Sequence, residues 1–186
     1  MIPTHIEVAS SHECGGLPLL DSWDQRGLRR ALGRFATGVT IITTRTSEGA
    51  CVGLTANSFT SVSLDPALVL WNLGKAQGSS RVFRDCSHFA INILSASQVD
   101  LSRRFASPVA DRFEGVDYVF EGVAAPVLRG CAAWFICSHR IHHEVGDHLV
   151  FIGEVQAFGT APEQPLLFHD GSYAIPGSMP VPASVT

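Results

Sequence analysis

Charge is scarce in this chain of 186 residues, with only 16% of positions occupied by Asp, Glu, Lys or Arg. The 13 basic residues fall short of the 17 acidic ones, giving a net charge of −4. Without a basic excess to neutralise a phosphate backbone, nucleic acid is not expected as the main partner. No apolar run of about 18 residues occurs, so no membrane-spanning helix is expected. The opening stretch MIPTHIEVASSHECGGLPLL has neither a basic start nor an apolar segment of signal-peptide length. Cys14, Cys51, Cys86, Cys131 and Cys137 are odd in number, widely spaced and free of any C-x-x-C pair. Zinc-ribbon and thioredoxin-type sites therefore lack support, and free, mostly buried thiols in a reducing cytoplasm are expected. Also missing are G-x-G-x-x-G, G-x-x-x-x-G-K-[ST] and G-x-S-x-G. Their absence removes the sequence case for Rossmann, P-loop and α/β-hydrolase chemistry.

Apolar residues make up 46% of the chain, enough for a sizeable core and too many for a disordered protein. The reading is one domain over residues 22–175, with a loose N-terminal arm at 1–21 and a mobile Pro-rich tail at 176–186. Leu28, Ala31, Leu32, Phe35 and Ala36 recur with helical spacing, with Asp24 as N-cap and Gly38 as stop. The β-branched run Val39–Thr44, a turn at Ser47–Gly49 and a strand at Ala50–Ser58 form a hairpin. Further strands are expected at Ala67–Leu73, His88–Leu94, Gly130–Arg140 and His148–Phe158, while Ser79–Asp85 is too short and polar to assign. Ser95 and Gln98 have the spacing of a capping box for a helix running to about Phe105. Strands without regular strand–helix alternation argue for a closed or sandwiched antiparallel barrel over a doubly wound sheet.

The densest chemical signal is Thr55-Ala56-Asn57-Ser58-Phe59-Thr60-Ser61-Val62-Ser63, with five hydroxyls and one carboxamide in nine residues. Neutral donors and free backbone N–H groups suit a ligand with phosphate and imide-like edges. A Ser/Thr-rich exposed strand is the plain alternative. His139, His142, His143 and His148 crowd one stretch, but H-E-x-x-H spacing fails and no cysteine pair supports a metal, so none is expected. Gly146-Asp147 reads as a turn between strands; of the four histidines His148, just after it, is the best placed to face a site, although on the residues alone an ordinary strand-end histidine is the favoured reading. Ser102-Arg103-Arg104-Phe105 closes the expected helix, where arginines either offset the helix dipole or contact phosphate. Phe168-His169-Asp170-Gly171-Ser172-Tyr173 combines aromatic rings with a D-G turn.

These words, in this order, resemble the flavin reductases that serve two-component flavin monooxygenases. They are FATGVTIITT at Phe35–Thr44, GLTANSFTSVSLDPALVL at Gly53–Leu70, FAINIL at Phe89–Leu94, SRRFA, GDHLVFIGEV at Gly146–Val155 and PLLFHDGSY at Pro165–Tyr173. The resemblance implies a mainly β fold with peripheral helices, an antiparallel Greek-key split β-barrel of FMN-binding type. It implies flavin contacts from Thr55, Ala56, Asn57, Ser58, Phe59, Ser61, Val62 and Ser63. Gln77, Gly78 and Ser79 match a loop near the ribityl phosphate, and Asn92, Ser102 and Phe105 match positions lining the same pocket. His148 matches a histidine beside the nicotinamide, making it the candidate catalytic residue. Phe168, His169, Asp170, Gly171 and Tyr173 match a stretch that approaches the nicotinamide nucleotide.

The activity so implied is hydride transfer from NADH (or NADPH) to FMN (or FAD) in a cytoplasmic homodimer. Reduced flavin then reaches a separate monooxygenase by diffusion. Both reactive centres belong to the cofactors, so the lack of a nucleophile or acid–base dyad is expected. The protein has to stack the rings and stabilise charge growing at the flavin N1–C2=O edge. A flavin carrier or sensor without turnover would use the same pocket but need not admit a nicotinamide. An oxidase of the pyridoxamine phosphate type fits the quoted words less well.

Overall fold

A computed structural model of the protein describes residues 24–120 and 125–177. The expected arm at 1–21, Cys14 and the part of the expected tail beyond residue 177 lie outside them. Asp24 caps the first helix, α1 (Gln25–Gly33), its carboxylate accepting from the backbone N–H groups of Arg26 and Gly27 at 3.0 Å each. The helix stops earlier than its apolar spacing implies. Arg34 and Phe35 donate instead to the carbonyls of Ala31 and Leu32, bonds that span three residues and tighten the last turn. Phe35 and Ala36 thus lie beyond the helix, and the stripe does not face the core: Leu32 is 64% and Phe35 77% exposed.

Among the described residues, twelve strands follow or interleave with two further helices. They are β1 (Thr37–Gly38), β2 (Thr40–Arg45), β3 (Cys51–Ala56), β4 (Thr60–Leu64), β5 (Ala67–Gly74), β6 (His88–Ile93), β7 (Tyr118–Val119), β8 (Val127–Leu128), β9 (Ala133–Val145), β10 (His148–Thr160), β11 (Leu167–His169) and β12 (Ser172–Ala174). The helices are α2 (Ser80–Asp85) and α3 (Val99–Ala106). Ser79–Asp85, unassignable from its polar sequence, is therefore a short helix that buries Phe83. The capping box forms as its spacing implies, with the Ser95 N–H donating to Gln98 Oε1 at 3.0 Å. It opens a single 3₁₀ turn, Ala96–Gln98, that runs into α3.

The main sheet has seven strands in the order β3-β2-β6-β9-β10-β5-β4, all antiparallel. Its two edge strands, β3 and β4, are consecutive in the chain and joined only by Asn57-Ser58-Phe59. The sheet must therefore curl until its edges approach. No ladder closes them among the described residues, and the opening between β3 and β5 becomes a cleft. β9 and β10 run longer than expected and turn at Gly146-Asp147, where Gly146 takes φ +57°. A small second sheet, β1-β11-β12, carries the Asp170-Gly171 turn, both residues having positive φ as a two-residue hairpin requires.

The core fills one face of the curled sheet. Trp71 stacks on Phe151 at 4.5 Å and meets Phe83 and Phe89 edge-on at 5.0 and 5.6 Å. Gly153 is required where two strands close on that cluster, because a Cβ there would strike the Phe89 ring and approach Cys137 Cβ at 2.9 Å. Cys137 and Cys131 are buried, and burial pushes both thiols up to about 12. Both are expected to stay unreactive toward Ellman's reagent in the folded protein and to titrate fully in denaturant. Rapid native-state labelling of either would contradict this packing. Among the described residues no helix is long and apolar enough to cross a membrane.

Candidate functional site

The cleft between the sheet edges is a cavity of about 360 Å³ lined by Leu54, Thr55, Ala56, Asn57, Ser58, Asn72, Leu73, Gly74, Gln77 and His148. Local structure explains each wall. Thr55 and Ala56 end β3, and the Thr55 hydroxyl donates to the Ser102 carbonyl at 2.7 Å, tying the strand to α3. Ser58 crosses to the other edge, its Oγ accepting from the Asn72 N–H at 2.9 Å. Gly74 ends β5 opposite His148, the first residue of β10. Gln77 follows in a tight turn, its N–H donating to the Gly74 carbonyl at 3.0 Å.

Gly74 forms a bare patch of floor. A Cβ placed there would sit 3.6 Å from Gln77 Cγ and 3.9 Å from His148 Nε2. The histidine thus turns Nε2 toward the cavity, while its Nδ1 lies 2.7 Å from Asp147 Oδ1. The imidazole's hydrogen bond holds the Asp147 carboxyl below the usual carboxylate range. An ionised carboxylate fixes Nδ1 as the protonated nitrogen and leaves Nε2 to face a ligand. Because the folded-state pKa is depressed, this contact is intact above the ordinary carboxylate range and is lost as pH falls through the lowered value.

The other expected site residues are dispersed. Phe59 turns away from the cavity to pack on Phe135 at 5.7 Å. Ser61, Val62 and Ser63 lie on β4, where a bulge offsets the pairing with β5, and they do not line the cavity. Gly78 is exposed and Ser79 is the N-cap of α2, just beyond Gln77. Asn92 is a correction: it is fully buried between strands, and its carboxamide serves the fold. It donates to the Ile41 carbonyl at 3.0 Å and the Thr43 hydroxyl at 3.2 Å, and accepts from the Leu128 N–H at 2.8 Å. Ser102 and Phe105 are likewise buried behind the cavity wall and do not line it.

Phe168, His169, Asp170, Gly171 and Tyr173 belong to the small sheet and do not line the cavity within one chain. Tyr173 nevertheless reaches it indirectly, because its hydroxyl lies 2.9 Å from Ser102 Oγ, and the Ser102 carbonyl holds Thr55. Four lining residues, Leu54, Asn72, Leu73 and Gly74, are not among the site residues expected from the sequence, nor is the contact of Asp147 with His148. Asn72 had a signal, since it is the one polar residue in the apolar strand ALVLWNLG. Its Oδ1 is buried without a hydrogen-bond partner. Asp147 read only as a turn residue.

A larger cleft of about 660 Å³ opens between the β2–β3 turn and α2. It contains none of the expected residues, and its Arg45 is already engaged, with Nε donating to the Gly49 carbonyl and the guanidinium over Phe120. The smaller cavity at the sheet opening is the chemically equipped one. Among the described residues no group of three or more metal-ligating side chains converges.

Known proteins place this arrangement in context. The family described as flavin reductase like domain matches residues 32–176. The chain is 45% identical over 154 residues to a Rhizobium meliloti protein named "Probable flavin reductase", a match that covers 83% of this chain but 50% of that one. The chain thus spans about half the length of that relative. It is 41% identical over 150 residues to an Agrobacterium fabrum protein named FMN reductase (NADH), covering 81% of this chain and 85% of the relative. Among solved structures, the NADH:FAD oxidoreductase of Streptomyces globisporus, in complex with NAD and FAD fragments, superposes with a TM-score of 0.79. It is 37% identical, over 90% of this chain and 99% of that one.

Proposed function

The chain belongs to the flavin reductase like domain family, and from that membership we propose that it transfers hydride from NADH to FMN or FAD and supplies reduced flavin to a monooxygenase. One observation carries the reading: a cavity of about 360 Å³ at the opening of the sheet gathers Thr55–Ser58, Gln77 and His148, three separate parts of the flavin reductase resemblance. Its size suits a cofactor-binding pocket. The side-chain-free floor at Gly74, between Gln77 and His148, fits a flat ring system that a Cβ would hold off. The fold we assign to the curled, unclosed sheet is the Greek-key split barrel of FMN-binding type.

Bound flavin supplies the hydride-accepting centre of the reaction. The residues of this chain have three tasks. Thr55 to Ser58, with Gln77, Gly78 and Ser79, would hold the flavin, and hydroxyl and backbone N–H groups of the Thr55–Ser58 segment would offset negative charge growing on it. His148 would contact the nicotinamide through Nε2, in a tautomer set by Asp147. Asn92, Ser102 and Phe105 act behind the wall by positioning β2, β3 and α3. The names of the relatives support NADH as donor and leave both flavins in play, and FMN is the favoured acceptor.

Asp147→Asn is expected to raise KM for NADH several-fold with little change in flavin affinity, because an amide holds the imidazole less firmly than a carboxylate. Steady-state kinetics with NADH varied would show it, and an unchanged KM would remove Asp147 from the site. The family resemblance also implies a homodimer with flavin near the interface. Exposed Leu32, Phe35, Leu64 and Phe158 supply apolar surface for such contact. Sedimentation equilibrium at micromolar concentration is expected to return twice the chain mass; a monomer would count against it. Free Cys51, Cys86, Cys131 and Cys137 accord with a reducing cytoplasm.

The test of the reading is anaerobic mixing of protein, NADH and FMN while the flavin absorbance is followed. Catalytic bleaching of the flavin supports the reductase. Flavin binding without bleaching, with NADH or NADPH, would move the assignment to a carrier or sensor.

A further inference from the structure

Asn72 extends this reading, on which the inference rests, by saying what the pocket recognises. Along β5, Val69, Trp71 and Leu73 turn into the core, while Leu70, Asn72 and Gly74 turn to the opposite face. Asn72 thereby becomes part of the cavity wall. Its backbone is fully used: the N–H donates to Ser58 Oγ at 2.9 Å and the carbonyl accepts from the same hydroxyl at 3.3 Å. Its side chain is not, because Oδ1 is buried with no hydrogen-bond partner.

A buried acceptor without a donor lowers stability, and leucine has nearly the same shape without that cost. A carboxamide left unpaired beside a cavity is explained by a ligand that pairs it. Asparagine presents an acceptor next to a donor, the complement of an N–H beside a carbonyl, as in its bidentate reading of adenine. Two groups in the proposed reaction offer that edge: the flavin's N3–H flanked by ring carbonyls, and the nicotinamide carboxamide. Position separates them. Asn72 is clamped to Ser58 within the Thr55–Ser58 wall, whereas His148 stands opposite Gly74, two residues or roughly 7 Å further along the strand.

We propose that Asn72 is a specificity-determining residue that reads the flavin's pyrimidine edge, with Oδ1 accepting from N3–H and Nδ2 donating to the adjacent ring carbonyl. The pocket then selects flavins with a free N3–H against those alkylated at that nitrogen.

The test compares FMN with 3-methyl-FMN, which lacks the N3–H, by titrating flavin fluorescence with the wild-type protein, Asn72→Leu and Asn72→Ala. The wild type is expected to prefer FMN about tenfold, and both variants to bind the two flavins equally. Without flavin, Asn72→Leu is expected to melt no lower than the wild type, which a purely structural asparagine would not allow. A variant that keeps the wild-type preference, or a wild type with none, overturns the assignment while flavin binding itself stands. Weakened NADH use at an unchanged flavin preference gives the carboxamide to the nicotinamide and also overturns it. Wild-type protein that binds neither FMN nor FAD overturns the flavin reading, and this inference with it.

Discussion

His148→Ala is expected to lower kcat/KM for NADH about a hundredfold, ~2.7 kcal/mol of transition-state stabilisation, while flavin affinity stays nearly unchanged. The asymmetry follows from where the imidazole stands. Its Nδ1 is held by Asp147 at 2.7 Å and its Nε2 turns toward the bare floor at Gly74, away from the Ser58 clamp. Hydride transfer depends steeply on how the two rings are stacked, and a misplacement of about 1 Å can cost that factor. His148→Gln, which can still offer a polar atom near the position of Nε2, is expected to recover part of the loss. Steady-state kinetics with NADH varied, beside fluorescence titration of flavin, separates the two effects. Equal losses in flavin affinity and NADH use would show that His148 supports the pocket as a whole.

The second large effect concerns stability. Trp71→Ala is expected to cost about 3–5 kcal/mol, much of the roughly 5–15 kcal/mol available to a domain. Trp71 is fully buried, stacked on Phe151 and edge-on to Phe83 and Phe89. Its indole N–H has no hydrogen-bond partner, so the substitution also removes an unpaired donor, which draws the figure toward the lower end. At about 2–4 °C per kcal/mol for a domain of this size, the melting temperature should fall by about 10 °C. Trp71→Phe keeps an aromatic ring, sheds the orphan N–H and is expected to lose far less. A thermal melt of the two variants checks both statements, and an unchanged Trp71→Ala melt would contradict the core described above.

Local chemistry made much of this fold legible. Asp24 as N-cap, the Ser95–Gln98 capping box, the β2–β3 hairpin and the Gly146-Asp147 turn each depend on residues close in the chain, and each forms. What failed was decided at a distance. The spacing of Leu28 to Ala36 predicts a longer helix, but Phe35 leaves it to lead into β1, and the stripe meets no core among the described residues. The polar run at Ser79–Asp85 hid a helix held largely by Phe83, buried against Trp71.

The site divides in the same way. Thr55–Ser58, Gln77 and His148 converge, although about 90 residues separate the first from the last. Thr55–Ser58 and His148 lie in quoted family words and Gln77 in a looser match, because no local periodicity marks them. Asn92 lay in an equally familiar word, yet register with β2 turns its carboxamide to Ile41 and Thr43 and leaves nothing for a ligand. Asn72 lay in no quoted word, and only the burial of its Oδ1 drew attention to it.

Flavin-dependent oxidation of NADH is the most direct measurement of the central claim. Purified protein mixed with NADH in air should show little loss of nicotinamide absorbance until FMN or FAD is added, and then steady turnover that saturates in both. Protein that binds flavin but leaves NADH and NADPH unoxidised with either flavin would contradict the assignment as a reductase.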